Sequence, residues 1–184
     1  MQFRPKKSLG QNFLVDENIL KKIVDIGDIN KNDKILEIGP GTGNLTKYII
    51  NAKSKNITVV EKDIDLVKIL KDRFKGKVKI INCDVLKLSE NFYIDEFIVY
   101  GNLPYNISTQ ILAYWCLSKN IKFKKLILLF QKEVADRIIA RVNTKNYSRI
   151  TILANWKFHI KKILDLNPEC FSPRPKIKST LLEF

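Results

Sequence analysis

Short apolar runs alternate with amphipathic helical patterns along this chain, and this alternation constrains the fold more than any other feature. Such alternation predicts an α/β protein with a largely parallel sheet. The predicted strands are Lys34–Ile38, Asn56–Glu61, Val78–Cys83, Glu96–Gly101, Lys125–Gln131, Ile150–Phe158 and Ser179–Phe184. The predicted helices are Glu17–Ile26, Gly43–Ile50, Asp63–Phe74, Ser108–Ser118 and Lys132–Arg141. Because only a loop separates the last two predicted strands, we expect an antiparallel hairpin to close a seven-stranded sheet.

The chain has the length of one domain and is strongly basic. Its 184 residues carry 33 Lys and Arg against 19 Asp and Glu, a formal net charge of +14. Such a charge attracts polyanions, although a Lys-, Asn- and Ile-rich composition inherited from an AT-rich genome produces the same excess. The sequence has no apolar run of about 18 residues, and residues 1–7 lack the apolar core of a secretory signal. We therefore expect a cytoplasmic protein that does not enter a membrane. A monomer is the expected oligomeric state, although these features do not determine it.

The cysteine and histidine content argues against a metal site. Cys83, Cys116 and Cys170 show no C-x-x-C spacing, and His159 is the single histidine of the sequence. Zinc sites are usually built from clustered Cys and His ligands at short spacings. We expect reduced thiols and no metal cofactor.

A glycine-rich segment, Glu37–Asn44, follows the first predicted strand and opens a helix. Its glycines permit a tight turn and a close approach of the backbone to a ligand. The spacing is G-x-G-x-G, and Asn44 stands where a dinucleotide-binding fingerprint would place its last glycine. This difference disfavours a dehydrogenase and favours a nucleoside cofactor without phosphates, such as S-adenosylmethionine (SAM).

Acidic residues follow the next two predicted strands. Glu61 lies roughly 20 residues beyond the glycine loop, where a carboxylate can accept hydrogen bonds from both hydroxyls of a ribose. Asp84 could accept from an adenine amino group while Val85 covers the ring. A solvated acid at a strand end is the alternative interpretation of each residue alone. Together they predict a nucleoside site at the carboxyl edge of the sheet.

The segment Asn102–Tyr105, Asn-Leu-Pro-Tyr, follows the apolar run Phe97–Val99. An Asn side-chain oxygen and a neighbouring backbone carbonyl can accept the two hydrogens of an exocyclic base amine, while an aromatic ring holds the base flat. Pro104 fixes the turn and removes a competing N–H donor. The alternative is an Asn that only caps a turn before proline.

Four segments resemble, in the same order, the ribosomal RNA adenine N6,N6-dimethyltransferases: Ser8–Leu14, Glu37–Gly43, Asn102–Asn106 and Phe171–Lys176. Phe130–Arg137 is similar to the bacterial KsgA (RsmA) branch more than to the macrolide-resistance (Erm) enzymes. The resemblance implies a class I SAM-dependent methyltransferase fold, Rossmann-like, with helices on both sheet faces. It also implies transfer of methyl groups from SAM to two adjacent adenines near the 3′ end of small-subunit ribosomal RNA, in immature 30S particles.

The resemblance further implies roles for individual residues. In such enzymes the segment Gln11–Leu14 lies over the cofactor, whereas its local pattern alone predicts only a loop before Asp16. The implied SAM contacts are Asn12, Leu14, Gly39, Gly41, Glu61, Asp84, Val85 and Asn102. The implied catalytic residues are Asn102, Leu103, Pro104, Tyr105 and Phe171. Of these, Tyr105 and Phe171 would stack on opposite faces of the flipped adenine.

One departure from the family pattern affects the predicted domain organisation. KsgA-type proteins continue into a small helical domain after the last strand, and this sequence stops at Phe184. We expect one methyltransferase domain, residues 1–184, with a cofactor-covering segment 1–15 and without the helical domain. Either the sequence is the catalytic part of a longer protein or the protein lacks that module. Binding of the methyl donor should survive without that module.

Three further expectations concern the RNA surface and the competing functions. Candidate RNA-contacting residues are Arg4, Lys6, Lys7, Arg137, Arg141, Lys145, Arg149, Arg174 and Lys176. An Erm-type enzyme acting on large-subunit RNA is one alternative function. A non-catalytic nucleic-acid-binding factor that keeps the fold is the other.

Overall fold

The computed structural model describes residues 5–6 and 9–184. The predicted positions Arg4, Lys7 and Ser8, together with residues 1–3 of the predicted covering segment, lie outside the described residues. The helices are α1 (Glu17–Ile26), α2 (Asn44–Ile49), α3 (Ile64–Phe74), α4 (Ser108–Leu117), α5 (Lys132–Ile138) and α6 (Arg149–Lys157). The strands are β1 (Phe13–Leu14), β2 (Lys34–Ile38), β3 (Asn56–Glu61), β4 (Lys79–Asn82), β5 (Phe97–Asn102), β6 (Phe123–Gln131), β7 (Lys161–Leu166), β8 (Phe171–Ser172) and β9 (Ser179–Glu183).

Seven strands form one sheet in the order β4-β3-β2-β5-β6-β9-β7. The first five of this order pair in parallel, and β9 pairs antiparallel with both β6 and β7. The predicted seven-stranded, mostly parallel sheet with an antiparallel last strand is therefore confirmed. The short strands β1 and β8 form a separate antiparallel pair.

Helices cover both faces of this sheet. Successive strand residues point to opposite sides, so each face carries apolar side chains that the helices bury. On one face, Leu36 and Val99 belong to a core shared with α4, α5 and α6. On the other face, Ile35 and Ile98 belong to a core shared with α1, α2 and α3. The buried strands read as continuous apolar runs for the same reason. Among the described residues, no helix combines the length and hydropathy that a bilayer crossing requires.

The predicted strand Ile150–Phe158 is wrong, because this stretch forms helix α6. Its run of β-branched residues imitates a strand, but Ser148 and Thr151 form a capping box that starts a helix. Ile150 and Ala154, one helical turn apart, are both buried against the core. The missing strand is β7, Lys161–Leu166, which lies at the edge of the sheet and is half exposed. The predicted antiparallel pairing with the last strand holds for β7.

Candidate active site

A cleft at the carboxyl edge of the sheet brings most of the predicted site residues together. Segment 9–13 lines one side, and the loops that follow β2, β3, β4 and β5 line the rest. From β2 the chain adds strands β3 and β4 on one side of the sheet, and it then crosses to β5 on the other side. Ligands of open α/β sheets bind at such a switch point. The predicted residues that line the cleft are Asn12, Gly39, Gly41, Glu61, Asp84, Val85, Asn102, Leu103, Pro104 and Tyr105.

The glycine loop after β2 depends on backbone conformations that other residues rarely adopt. Gly39 and Gly41 have φ angles of 66° and 59°. A Cβ atom added at Gly41 would lie 2.6 Å from the ring of Phe13, so the loop can pass beneath segment 9–13 only with glycine there. A Cβ added at Gly39 would lie 3.9 Å from the backbone oxygen of Asn102. The close approach of Phe13 therefore requires glycine at position 41, whereas at position 39 the constraint is the backbone conformation.

Glu61 ends β3 with a buried carboxylate that backbone donors hold in place. The N–H of Gly41 donates to its Oε2 at 3.2 Å, and the N–H of Asp63 donates to its Oε1 at 2.9 Å. Burial raises the pKa of Glu61, and the two backbone hydrogen bonds oppose that rise. Each carboxylate oxygen can accept a further hydrogen bond from a ligand.

Asp84 follows β4 and carries an ionised carboxylate at the rim of the cleft. Its Oδ1 accepts from the N–H of Leu86 at 3.1 Å, which caps the short 3-10 turn Val85–Lys87. The ammonium of Lys62 donates to its Oδ2 at 2.9 Å and lowers the pKa of Asp84. Val85 is buried beside it and lines the cleft. A hydrogen-bond acceptor and an apolar surface therefore lie next to each other.

The side chain of Asn102 connects the loop after β5 to segment 9–13. Its Nδ2 donates to the backbone oxygen of Asn12 at 2.7 Å. The Asn12 side chain in turn donates to the backbone oxygen of Gly10 at 3.3 Å. This bond uses one of the two Nδ2 hydrogens and orients the amide, so the side-chain oxygen is available to accept from a ligand and one N–H remains to donate.

Tyr105 is half buried in the cleft, and its hydroxyl lies 2.6 Å from the hydroxyl of Ser179 in β9. Burial raises the pKa of the Tyr105 phenol. The backbone oxygen of Pro104 accepts from the N–H groups of Ile107 and Ser108, which leads the chain directly into α4. An aromatic ring with a fixed hydroxyl end is therefore presented beside Asn102.

Leu14 and Phe171 are the two predicted residues that the structure does not bring to the cleft. They are 4% and 2% exposed, face each other in the β1–β8 pair and pack in the core on the α1–α3 face. The backbone oxygen of Leu14 accepts from Nδ2 of Asn44 at 2.9 Å, which joins β1 to the start of α2. Strand pairing directs both side chains into the core, which the motif alone does not reveal.

Sequence reasoning missed a group of polar contacts that ties segment 9–13 to the start of α3. Asp63 accepts from Lys6 Nζ at 2.7 Å and from Gln11 Nε2 at 3.0 Å. Gln11 Oε1 also accepts from the backbone N–H of Lys6 at 2.7 Å. Burial acts to raise the pKa of Asp63, but the bonds from Lys6 and Gln11 prevail and lower it. The sequence indicated only that Asp63 caps the helix, which it also does.

A second buried acid, Glu37, lies under the glycine loop. It is 2% exposed, and its Oε2 accepts from the hydroxyl of Thr46 at 2.6 Å. Burial raises the pKa of Glu37 to about 8, against the effect of the Thr46 bond, and the nearby charge of Glu61 adds to the rise. The sequence signal that could have identified Glu37 is an acidic residue within an otherwise apolar predicted strand.

The comparisons with known proteins agree on one family. The model for ribosomal RNA adenine dimethylase matches residues 2–184.

The chain belongs to the ribosomal RNA adenine dimethylase family.

Two relatives of this dimethylase show how much of a longer protein the chain represents. It is 57% identical over 187 residues to ribosomal RNA small subunit methyltransferase A of Pelagibacter ubique, covering 100% of this chain and 71% of that protein. It is 44% identical to the protein of the same name from Malacoplasma penetrans, covering 100% of this chain and 66% of that protein. The chain therefore spans about two thirds of the length of these relatives.

Solved structures place the dimethylase among class I methyltransferases. A dimethyladenosine transferase from Plasmodium falciparum superposes with a TM-score of 0.83 at 31% identity, over 93% of this chain and 62% of that one. The 23S rRNA methyltransferase ErmE superposes with a TM-score of 0.77 over 93% of this chain and 68% of that one. Its 23% identity shows the fold alone. The predicted family and fold are confirmed, and the roles of individual residues remain predictions.

Within the part of the chain that the structure describes, no three His, Cys, Asp or Glu side chains are grouped so as to hold a metal ion.

Proposed function

We propose that this chain transfers methyl groups from SAM to N6 of two adjacent adenines near the 3′ end of small-subunit (16S) ribosomal RNA, giving N6,N6-dimethyladenosine. The substrate particle is the immature 30S subunit, so the reaction is a step of ribosome biogenesis. The observation that carries the proposal is the bond from Asn102 Nδ2 to the Asn12 backbone oxygen. It leaves the amide oxygen as an acceptor for N6, next to the ring of Tyr105 and the glycine loop.

The residues around the cleft fit SAM. Gly39 and Gly41 line the cleft, and a Cβ atom at Gly41 would meet the Phe13 ring of the covering segment, so this turn suits the methionine part. Glu61 can accept from the ribose hydroxyls, and Asp84 and Val85 suit the adenine. Bound SAM would supply a methyl group activated by a sulfonium charge and would become S-adenosylhomocysteine, while N6 would lose one proton to solvent for each methyl group that it gains. Segment 9–13 lines the same cleft and would cover the cofactor, as part of a methyltransferase domain that spans residues 1–184.

The Asn-Leu-Pro-Tyr loop would act on the target adenine after the base has left its stack. Tyr105 holds the flipped ring by stacking. The Asn102 Oδ1 atom and the Leu103 carbonyl accept the two N6 hydrogens, which moves the nitrogen toward a tetrahedral geometry with an available lone pair. Pro104 keeps the turn fixed and offers no competing N–H. Most of the acceleration comes from positioning the reacting atoms.

Two predicted contacts require a change from the geometry described above. Phe171 would stack on the second face of the adenine only if its ring left the core beside Leu14. Leu14 would touch SAM only through the same movement of the β1–β8 pair. We therefore assign the principal stacking role to Tyr105 and retain Phe171 as its proposed partner.

A substrate comparison tests the proposal. Purified chain is incubated with labelled SAM and either immature small subunits or protein-free large-subunit RNA. We expect label in the small-subunit RNA, as dimethylated adenine. Label confined to large-subunit RNA would instead assign the chain to the Erm-type reaction. Sedimentation of the same preparation should show a monomer, in keeping with a cytoplasmic enzyme that works on one particle.

Calorimetry with SAM separates the enzyme from a non-catalytic factor that keeps the fold. We expect saturable binding of one SAM per chain. Glu61→Gln should weaken that binding, because an amide cannot accept with both of its terminal atoms. A chain that bound RNA but took up no SAM would contradict the proposed transferase.

A further inference from the structure

An exposed stripe on α6 combines an aromatic ring, an aliphatic side chain and a basic residue. Arg149, Ile152 and Trp156 follow an i, i+3, i+7 spacing, which places them on one face of the helix. All three are exposed, Ile152 by 56% and Trp156 by 76%. None of them lines the cleft, so the catalytic site does not account for this stripe.

Hydrogen bonds hold the opposite side of α6 against the protein. Thr151 donates to the backbone oxygen of Arg137, and Asn155 donates to that of Ile138 at 3.0 Å. Lys157 donates to the backbone oxygens of Trp115 and Ser118 at 2.7 and 2.6 Å. These bonds fix the helix and leave Trp156 facing outward in a defined position.

The chain segment that contains the stripe is rich in basic residues. The segment 137–164 contains seven Lys and Arg and no Asp or Glu. Arg141, Lys145 and Arg149 are exposed in and beside the loop that enters α6, together with the 38% exposed ring of Tyr147. The stripe and the adjoining loop therefore offer two exposed aromatic rings together with basic side chains.

We infer that the α6 stripe, defined as Arg149, Ile152 and Trp156, binds a single-stranded segment of RNA outside the catalytic cleft. This inference rests on the proposed function for the identity of the RNA as ribosomal. Aromatic rings stack on unpaired bases regardless of sequence, and arginines follow the phosphate backbone. A second copy of the chain fits poorly, because two such surfaces would bring like charges together. The stripe would hold the substrate RNA while the cleft receives the flipped adenine.

Intrinsic fluorescence tests the inference directly. The chain has two tryptophans, and Trp115 has no exposed surface, so quenching by added RNA reports on Trp156. The probe is single-stranded oligouridine of about 12 nucleotides, which is within the usual length of such sites. We expect saturable quenching of the wild-type chain and about tenfold weaker binding by Trp156→Ala in fluorescence anisotropy. Trp156→Phe should retain most of the affinity, because it keeps an aromatic ring.

Charge variants provide the second measurement. Arg149→Glu should weaken binding and reduce the slope of log K against log salt by about 0.7 or more. Two variants are the matched controls. Lys71→Glu changes a basic residue that is also exposed, on α3, and Ile94→Ala removes an 82% exposed apolar side chain elsewhere. Thermal unfolding of each variant shows that it is folded.

The outcomes separate this inference from the proposed function. Unchanged RNA affinity in Trp156→Ala, or a wild-type dimer that this substitution dissociates, would overturn the RNA surface. RNA binding that depends on Trp156 would support the surface even if the chain transferred no methyl group. Methyl transfer without any contribution from Trp156 would support the proposed function and contradict the surface.

Discussion

The hydroxyl of Tyr105 lies 2.6 Å from the hydroxyl of Ser179, which has no exposed surface. Ser179 begins β9, whereas Tyr105 belongs to the loop after β5. The antiparallel strand thus fixes one end of the ring that we propose to stack on adenine. Ser179 is a positioning residue in this account, because it acts through Tyr105.

A double-mutant cycle should show that these two hydroxyls act through one bond. Tyr105→Phe and Ser179→Ala should each lower kcat/KM for RNA by about fivefold, about 1 kcal/mol, with SAM affinity unchanged. The double variant should lose no more than either single one. Fully additive losses would mean that the bond is not what positions the ring. Tyr105→Ala, which removes the ring itself, should be more severely impaired.

Replacing Asn102 should abolish chemistry and spare cofactor binding. We expect Asn102→Ala to keep SAM affinity within about tenfold, about 1.4 kcal/mol, while methyl transfer falls below detection. The reason is that the side-chain oxygen is assigned to N6 of the adenine. Calorimetry and the labelled-SAM assay measure the two effects. Asn120→Ala, on an exposed loop, is the control, and full activity in Asn102→Ala would remove this residue from the mechanism.

The buried Glu37 should make stability depend on pH. Its pKa is about 8 in the folded chain, raised by burial from an ordinary value of 4.5, so the folded state binds the proton more tightly than the unfolded state. The stabilisation is complete below about pH 4.5 and is lost as pH rises toward about 8, with a slope of at most about 1.4 kcal/mol per pH unit. Urea unfolding between these limits should show a flatter profile for Glu37→Gln than for the wild type. Parallel profiles would show that Glu37 does not titrate in this range.

Removing the hydrogen bond that joins segment 9–13 to α3 should weaken SAM binding without unfolding the chain. Gln11→Ala removes the bond to Asp63 but leaves the α3 cap intact. We expect the Kd for SAM to rise about fivefold, with the free energy of unfolding changed by less than about 0.5 kcal/mol. The control is Asp16→Ala, which removes the α1 cap and should cost about 1 kcal/mol of stability instead. Equal SAM affinity in Gln11→Ala and wild type would mean that the bond between Gln11 and Asp63 does not order segment 9–13.

The fold was predictable wherever strands are buried on both faces. β2, β3, β5 and β6 appear in the sequence as mostly apolar runs, so their positions could be predicted. The position of the edge strand β7 could not be predicted, because half of its residues are exposed. The β-branched run of α6 was predicted as a strand in its place. Whether such a run becomes a helix depends on its cap and on the helices that cover it.

The candidate site divides in the same way between local and long-range information. Gly39, Glu61 and Asp84 follow strands of a parallel sheet, so their meeting at one edge could be inferred from order alone. The contact between Tyr105 and Ser179 joins residues 74 positions apart, and no local pattern encodes it. The burial of Phe171 likewise depends on its pairing with Leu14, far away in the chain.

The position of β9 between β6 and β7 has a consequence for the order in which the molecule assembles. Until residues 179–183 have left the ribosome that makes them, β6 presents an unpaired apolar edge and β7 has no neighbour in the sheet. The same residues carry the hydroxyl that holds Tyr105. A nascent chain therefore gains its complete sheet and its oriented base-stacking ring in one event, and a chain that lacks these residues has neither.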